Sequence, residues 1–557
     1  MKSLNSRQVA ANTLKLGLLL SLLLPGIAQA DALADCFDPL AAPVYPTTPN
    51  VPAVTTQPAA VRFLNMATFG ASPQDVNHLS KMTFQAWVDE QLAMKASCHL
   101  ATLNETQDNN QRENRIEVWF RHAVTAPDQL RQRVAFALSE VFVVSDVGSG
   151  ISTNALAVYY DILVRNAFGN FRDILEQVTL SPAMGKYLST LHNQKADRKL
   201  GIRADENYAR EVMQLFTIGL VQLDTTGTPV LQNGVTVPTY TQTDVENSAK
   251  VLTGWGLADS VSFFDGIEWR QSMVSFEGYH DHSAKTLLTN VAVPAAGKAP
   301  ADLKILLDTL FNHPNVGPFI GRRLIQRLVT SNPSPAYIQR VAEAFNDNGA
   351  GVRGDMKAVI SAVLLDPEAV GGAKVNPKFG KLREPLLVLT HLWRVLGGKA
   401  HDGRLPYYYP ESSIGQAPLS SGSVFNFFRP DYAPSGKIND QGLFAPEFQL
   451  VNDANNTRFY NELFSLTHWH YVGYQWADQS SVLININNLA KRAQTPSNLV
   501  NYLNLVFTGN KLPATVTTPL IAYLRDLSFK DNAGNGVNRS LEALYLVLSS
   551  PNYLIQR

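Results

Sequence analysis

Of 557 residues only two are cysteine, Cys36 and Cys98, so a disulfide-rich small-domain scaffold and a C-x-x-C redox site are both excluded. The sequence also lacks net charge, with 47 Lys and Arg balanced by 47 Asp and Glu. No Lys/Arg run is present and charged residues make up 17% of the chain, so nothing supplies the basic stripe that nucleic-acid binding requires. Equally absent are the G-x-S-x-G elbow, H-E-x-x-H, G-x-x-x-x-G-K-[ST] and a closed EF-hand loop. The usual hydrolase, zincin, nucleotide-binding and calcium readings therefore lose their support, and no cofactor is implied. Beyond the first 30 residues no apolar run approaches the roughly 20 residues a spanning helix needs, so no transmembrane anchor is expected once the leader is removed.

The leader itself is present. Lys2, Arg7 and Lys15 precede an apolar stretch from Leu16 to Leu24 and then "PGIAQA", the pattern of a secretory signal with cleavage expected after Ala30. Removing residues 1–30 deletes those three basic groups and no acidic one, taking the formal charge from 0 to −3. "LADC", ending at Cys36, is similar to a lipoprotein acceptor site, but Asp35 stands where a small residue is wanted. Export to the periplasm or the outside of the cell is the expectation. In that oxidising setting Cys36 and Cys98 are candidates for one disulfide, worth about 4 kcal/mol in the chain-entropy model.

Prolines at 39, 43, 46, 49, 52 and 58 make residues 31–60 read as an extended linker. From 61 to 557 the pattern turns helical. Ser72 and Pro73 are a helix start, Thr243 and Glu246 a capping-box pair, and apolar residues recur at three- and four-residue steps in "PDQLRQRVAFALSEVFVV", "ADLKILLDTLFN" and "EPLLVLTHLWRVLG". Strand-like alternation is scarce, the best stretch being 265–279. The fold class is thus mainly α: a large multi-helix assembly of helical hairpins with at most a small β-hairpin, divisible into two lobes near residue 300. An internal echo links 345–369 with 529–553, each reading as helix, Asn/Gly turn, helix and a Pro stop. Residues 397–448 form the least regular segment. It carries Tyr407, Tyr408, Tyr409, Phe425, Phe427, Phe428 and Tyr432, too many aromatics for disorder, and a loop of that length tends to bind something.

Chemistry has three candidate locations. "ADENYAREVMQLFTIGLVQL", Ala204–Leu223, reads as one amphipathic helix with Glu206, Asn207, Arg210, Glu211 and Gln214 on its polar side. Either Glu206 and Arg210 form an ordinary i,i+4 ion pair, or Glu206 and Glu211 act as acid and base beside Arg210. Two His-x-His pairs, His280/His282 and His468/His470, have the residue type of a zinc site, though ordinary hydrogen-bonded histidines fit as well and no metal is assigned. The aromatic loop supplies Tyr409 and Phe428 for stacking, with Arg429 for anionic groups.

Seven stretches in order, "VRFLNMATFGASPQDVNHL", "LRQRVAFALSEVFVVS", "DENYAREVMQLFTIGL", "YTQTDVENSAKVLTGW", "YHDHSAKTLL", "NGAGVRGDMKAV" and "LSSGSVFNFFRPDY", resemble the bacterial Domain of Unknown Function 1800 family over roughly 61–557. The resemblance implies an exported, largely helical protein and, as a partner, a second exported protein of the Domain of Unknown Function 1501 family. It matches the signature at Glu206 to Glu211 and at His280, Asp281 and Lys285, and departs from it at Phe216, where the family usually has His. Family membership makes a site on the polar helix more plausible, with Asn207, Arg210 and Glu211 as an inward network, structural or ligand-binding. Two functions stay open: an envelope-associated non-catalytic scaffold or assembly partner, or a hydrolase or lyase acting on an extracellular or envelope glycan. The enzyme reading requires Glu211, His280, Asp281 and Arg429 to converge on one open pocket.

Overall fold

The computed structural model describes residues 54–106, 110–478, 480–530 and 534–557, with the backbone of Cys36 and Phe37. The signal segment and most of the Pro-rich linker lie outside the described residues. The linker ends earlier than its prolines suggest: Pro58 sits in the first turn of the Gln57–Ala67 helix, where a missing N–H costs nothing.

The architecture is mainly α, built from helical hairpins. Its centre is the Gln129–Ser139 helix, every residue of which is buried. The Thr153–Asn166 and Val316–Leu328 helices pack against it. Val316–Leu328 continues into Pro335–Asn346 and Met356–Leu365 as successive antiparallel partners, and Pro385–Leu396 packs on Arg112–Thr125. One apolar cluster runs from Ala60 to Leu554, so the core is continuous across residue 300. Among the described residues, strands are two-residue pieces in pairs. The alternating stretch at 265–279 contributes only Val274–Ser275, paired with Trp255–Gly256. Its alternation fails to extend because Gly266 and the Asp259 carboxylate, which accepts the N–H groups of Ile267 and Glu268, hold the preceding segment in a tight loop.

Caps decide several boundaries. Ser72 accepts the N–H of Asp75, as its position before Pro73 implies. The reciprocal capping box is made by Thr241 and Asp244, not by Thr243 and Glu246, so the Gln242–Val251 helix starts a residue or two earlier than expected. The Ala204–Leu223 stretch is a helix only over Asn207–Gln214. Beyond it the N–H groups of Phe216 and Ile218 reach back five residues, and Gly219 turns the chain at φ +71°, its missing Cβ 2.7 Å from the Phe319 ring. No larger residue fits there.

The echoed segments share their order of elements. Met356–Leu365 is followed by Asp366 capping a Pro367-started turn of helix, and Val537–Leu548 by Ser550 capping a Pro551-started one. The matching Asp531 and Asn532 lie outside the described residues. Near the other end of the molecule Cys98 is disulfide-bonded, and the backbone of Cys36 pairs in parallel with Ala96 beside it.

Candidate functional site

The polar face of the Asn207–Gln214 helix does not form an inward network. Asn207 is exposed, and Arg210 donates to Glu206 at 3.0 Å and to Gln242 at 3.2 Å on a half-open surface. Glu211 is half-buried. Its Oε2 has no hydrogen-bond partner among the described residues, and burial holds its carboxyl above the ordinary range, partly offset by Arg210. The two carboxylates therefore differ by environment, one ion-paired and one desolvated, but no cation is hydrogen-bonded to the second.

His280, Asp281 and Lys285 belong elsewhere. His280 is fully buried, with Nε2 3.2 Å from Asp302 Oδ2 and Nδ1 2.9 Å from the Thr253 carbonyl. Lys285, also fully buried, donates to the same Asp302 oxygen at 3.0 Å and to the Asp281 carbonyl at 2.5 Å. Asp281 accepts from Ser283 in a local turn. This is a sealed ion triad that fastens the 280–286 segment to the Ala299–Asn312 helix. His282 bonds the carbonyls of Gly297 and Glu277, whereas His468 stacks on Phe464 and His470 bonds Ser465. The two His-x-His pairs share no partner, and among the described residues no three His, Cys, Asp or Glu side chains are placed to hold a metal ion.

The aromatic loop divides between anchor and display. Phe428 is buried, with the Arg327 guanidinium 4.3 Å over its ring, so it is unavailable for ligand stacking. Arg429 is exposed, its Nε 4.0 Å from Asp431. Tyr409 is 53% exposed and donates to Glu113 at 2.6 Å, and Phe425 is 41% exposed. His280 and Asp281 thus meet around the buried Lys285 and Asp302, Glu211 Oε2 has no hydrogen-bond partner among the described residues, and Arg429 lies on the surface beside Asp431, so the four do not gather on one open cleft.

What anchors the loop is a charged network that sequence reasoning missed. Arg133 and Glu140 lie at the central helix, Arg327 on Val316–Leu328, Lys381 and Glu384 just before Pro385, and Gln416 and Glu447 in or beside the loop. All are at least nine-tenths buried. Arg133 and Lys381 both donate to the Arg327 carbonyl at 2.8 Å. Lys381 lies 3.1 Å from Glu447 and 3.7 Å from Glu384, and Gln416 donates to Glu384 at 2.6 Å. Asn426 donates to Glu140 at 3.4 Å, and Arg327 lies 3.6 Å from the same oxygen.

At its centre the Glu140 and Glu384 carboxyls bear on each other's protonation, and Glu140 Oε2 and Glu384 Oε1 are both buried without a hydrogen-bond donor among the described residues. Burial, then the charge of Glu384, holds the Glu140 carboxyl well above the usual range, so it keeps its proton. Burial also opposes ionisation of Glu384, but Lys381, the neighbouring Glu140 acid, and Arg133 and Arg327 outweigh it and hold Glu384 below the usual range. The two carboxyls are thus favoured in opposite states, Glu140 protonated by burial and Glu384 ionised beneath Lys381, Arg133 and Arg327. The signal was available in the sequence: Arg133 and Glu140 interrupt an otherwise apolar helix in "RVAFALSEVFVV", where a lone charge must find a buried partner.

An open cavity of about 510 Å³ lies along the seam between the loop and the Arg112–Thr125 helix, walled by Arg112, Arg115, Asp146, Tyr409 and Glu411. Its charges are already matched. Arg112 meets Asp146 at 2.9 Å and Glu411 at 3.1 Å, and Arg115 meets Asp146 at 2.5 Å while donating to the Pro418 carbonyl.

No curated protein and no solved structure matches the chain. A family model described as "Protein of unknown function (DUF1800)" matches residues 62–555. The stretches that resemble this family supply Arg133, Glu140, Asn426 and Phe428 to the buried network, and by this match over nearly the whole described chain the protein belongs to the DUF1800 family.

Proposed function

We propose that the protein is an exported, envelope-associated scaffold or assembly partner, and that the aromatic loop is its docking surface. The observation that carries this reading is how the loop is held. Gln416, Phe428 and Glu447 are locked into the charged network, and Ser145 and Asp146 fasten residues 419–421 by hydrogen bonds of 2.7 and 2.9 Å. Tyr409 and Phe425 are left outward on a fixed backbone. A rigid surface that presents aromatic side chains loses little entropy on association, which suits a protein contact. The partner is a second exported protein, of the Domain of Unknown Function 1501 family, and both act in the periplasm or outside the cell.

Co-expression with such a protein, followed by affinity purification from the exported fraction, tests the reading. Co-elution is expected, with a loss of at least tenfold for the double variant Tyr409→Ala, Phe425→Ala. No co-elution, or co-elution indifferent to the two aromatics, overturns it. Mass spectrometry of the recovered chain should place its first residue next to Ala30.

The second reading, a hydrolase or lyase acting on an envelope glycan, loses the site it needs: Glu211, His280, Asp281 and Arg429 do not gather on one open pocket, and the Glu140 and Glu384 carboxyls are buried away from the open cavity described above. Glycan cleavage by the purified protein would put this reading in place of the scaffold.

A further inference from the structure

Positive charge is concentrated where the first helix meets the end of the chain. A cavity of about 290 Å³ is walled by Arg62 from the Gln57–Ala67 helix, Arg383, Lys511 from the turn after Pro496–Thr508, and Arg557. No Asp or Glu is among its lining residues. No ion pair among the described residues joins any of the four to a carboxylate. Several other buried or half-buried cations are matched, as Arg112, Arg115, Arg394 and Lys285 are, whereas Arg133 and Arg539 are held by backbone carbonyls instead.

Two buried groups at the wall keep donors in reserve. Arg383 is 8% exposed; its Nε donates to the Tyr553 carbonyl at 2.9 Å and its guanidinium lies 5.0 Å over the Tyr553 ring. Its two terminal nitrogens have no partner among the described residues. Asn65 is 4% exposed, and its Oδ1 accepts the N–H of Ala71 at 3.2 Å, leaving the amide NH₂ likewise without a partner. Burial, followed by Arg62, Lys374 and Arg557, lowers the affinity of the Lys511 amine for its proton, and burial does the same to Arg62 and Arg383. Gathering four like charges works against the folded state unless something negative joins them.

We propose that this cavity is a binding site for a phosphoryl group, with Arg62, Arg383, Lys511 and Arg557 surrounding the anion and Asn65 donating from the inner wall. Planar guanidinium donors match tetrahedral oxyanions, and two or three charge-assisted hydrogen bonds suffice to hold one. The volume admits a phosphate carrying a small organic group and excludes a nucleotide lying at full length. The site is independent of the loop surface, so its fate does not bear on the docking reading.

Thermal denaturation of the full exported chain in inorganic phosphate, against sodium chloride of equal ionic strength, tests it. The melting temperature should rise with phosphate concentration beyond the chloride control. Lys511→Gln and Arg62→Gln should each weaken the apparent phosphate affinity roughly tenfold or more, while melting at or above wild type without phosphate because like-charge repulsion is relieved. Glycerol 3-phosphate binding more tightly than inorganic phosphate identifies an esterified group as the natural occupant; equal or weaker binding identifies the free anion. A phosphate effect no larger than that of chloride, or one retained in both variants, overturns the proposal.

Discussion

Glu140 and Glu384 are both buried where the central helix, the Pro385–Leu396 helix and the aromatic loop come together, and their carboxyls are pushed in opposite directions, Glu140 up by burial and the charge of Glu384, and Glu384 down, against burial, by Lys381. A neutral acid next to an ionised one is how two buried carboxyls tolerate proximity, since both ionised would repel at low dielectric.

This division of labour predicts opposite outcomes for two similar variants. Glu140 keeps its proton in the fold above the pH at which an unfolded glutamate loses it. Its contribution is therefore complete below the ordinary carboxyl range and declines as pH rises beyond it, by about 1.4 kcal/mol per pH unit until the folded group also ionises. Glu140→Gln is neutral at every pH and removes that slope, so its stability should match or exceed wild type at pH 7 to 8. Glu384→Gln leaves Lys381, Arg133 and Arg327 underpaired and should cost about 3 kcal/mol or more. Denaturant unfolding at pH 5 and pH 8 measures both; identical pH slopes for wild type and Glu140→Gln would contradict the assignment.

Glu211 lacks a hydrogen-bonded cation, and its carboxyl is held above the ordinary range. Its ionisation therefore opposes folding at neutral pH. Glu211→Gln should melt at or above wild type at pH 7. Arg210→Gln, which removes the exposed bonds to Glu206 and Gln242 and the weak charge support of Glu211, should change stability by less than about 1 kcal/mol. A clear loss of stability in Glu211→Gln would restore the structural-network reading of this helix.

Lys285 and His280 converge on a single oxygen of Asp302 inside the protein. Lys285→Met removes the permanent cation and strands the carboxylate, so a loss of about 3 kcal/mol is expected, seen as a lower urea midpoint. An unchanged midpoint would mean that the triad does not hold the 280–286 segment.

Local physics made the helices legible. Pro73 after Ser72, Gly397 after an apolar helix and the three- and four-residue steps all correspond to observed elements, because caps and periodicity act within a few residues. The boundaries that misled were those with competing local signals, as at Thr241 against Thr243, where Asp244 completes the box two residues earlier. The site was less legible for a different reason. Glu206 and Arg210 satisfy each other locally, and of the two alternatives their spacing allowed, the ordinary i,i+4 ion pair is the one observed. Glu140, Arg327 and Lys381 meet only in three dimensions, and no spacing along the chain announces that Lys381 lies between Glu384 and Glu447. Their one sequence mark is charge inside apolar surroundings, which says that a partner is needed without saying which.

The distance along the chain between members of that network has a kinetic meaning. Asn426 and Glu140 are 286 positions apart, and Arg394 reaches back 324 positions to the Gly70 carbonyl. While the polypeptide is being made from its N-terminus, the central helix cannot bury Glu140 with its farthest partner until 286 of the 557 residues have followed it. Such non-local closure makes folding slow and leaves partly formed intermediates with exposed apolar helices. Resistance to proteolysis is therefore expected to appear late, once the distant partners have been made, and limited proteolysis of C-terminally truncated chains measures it.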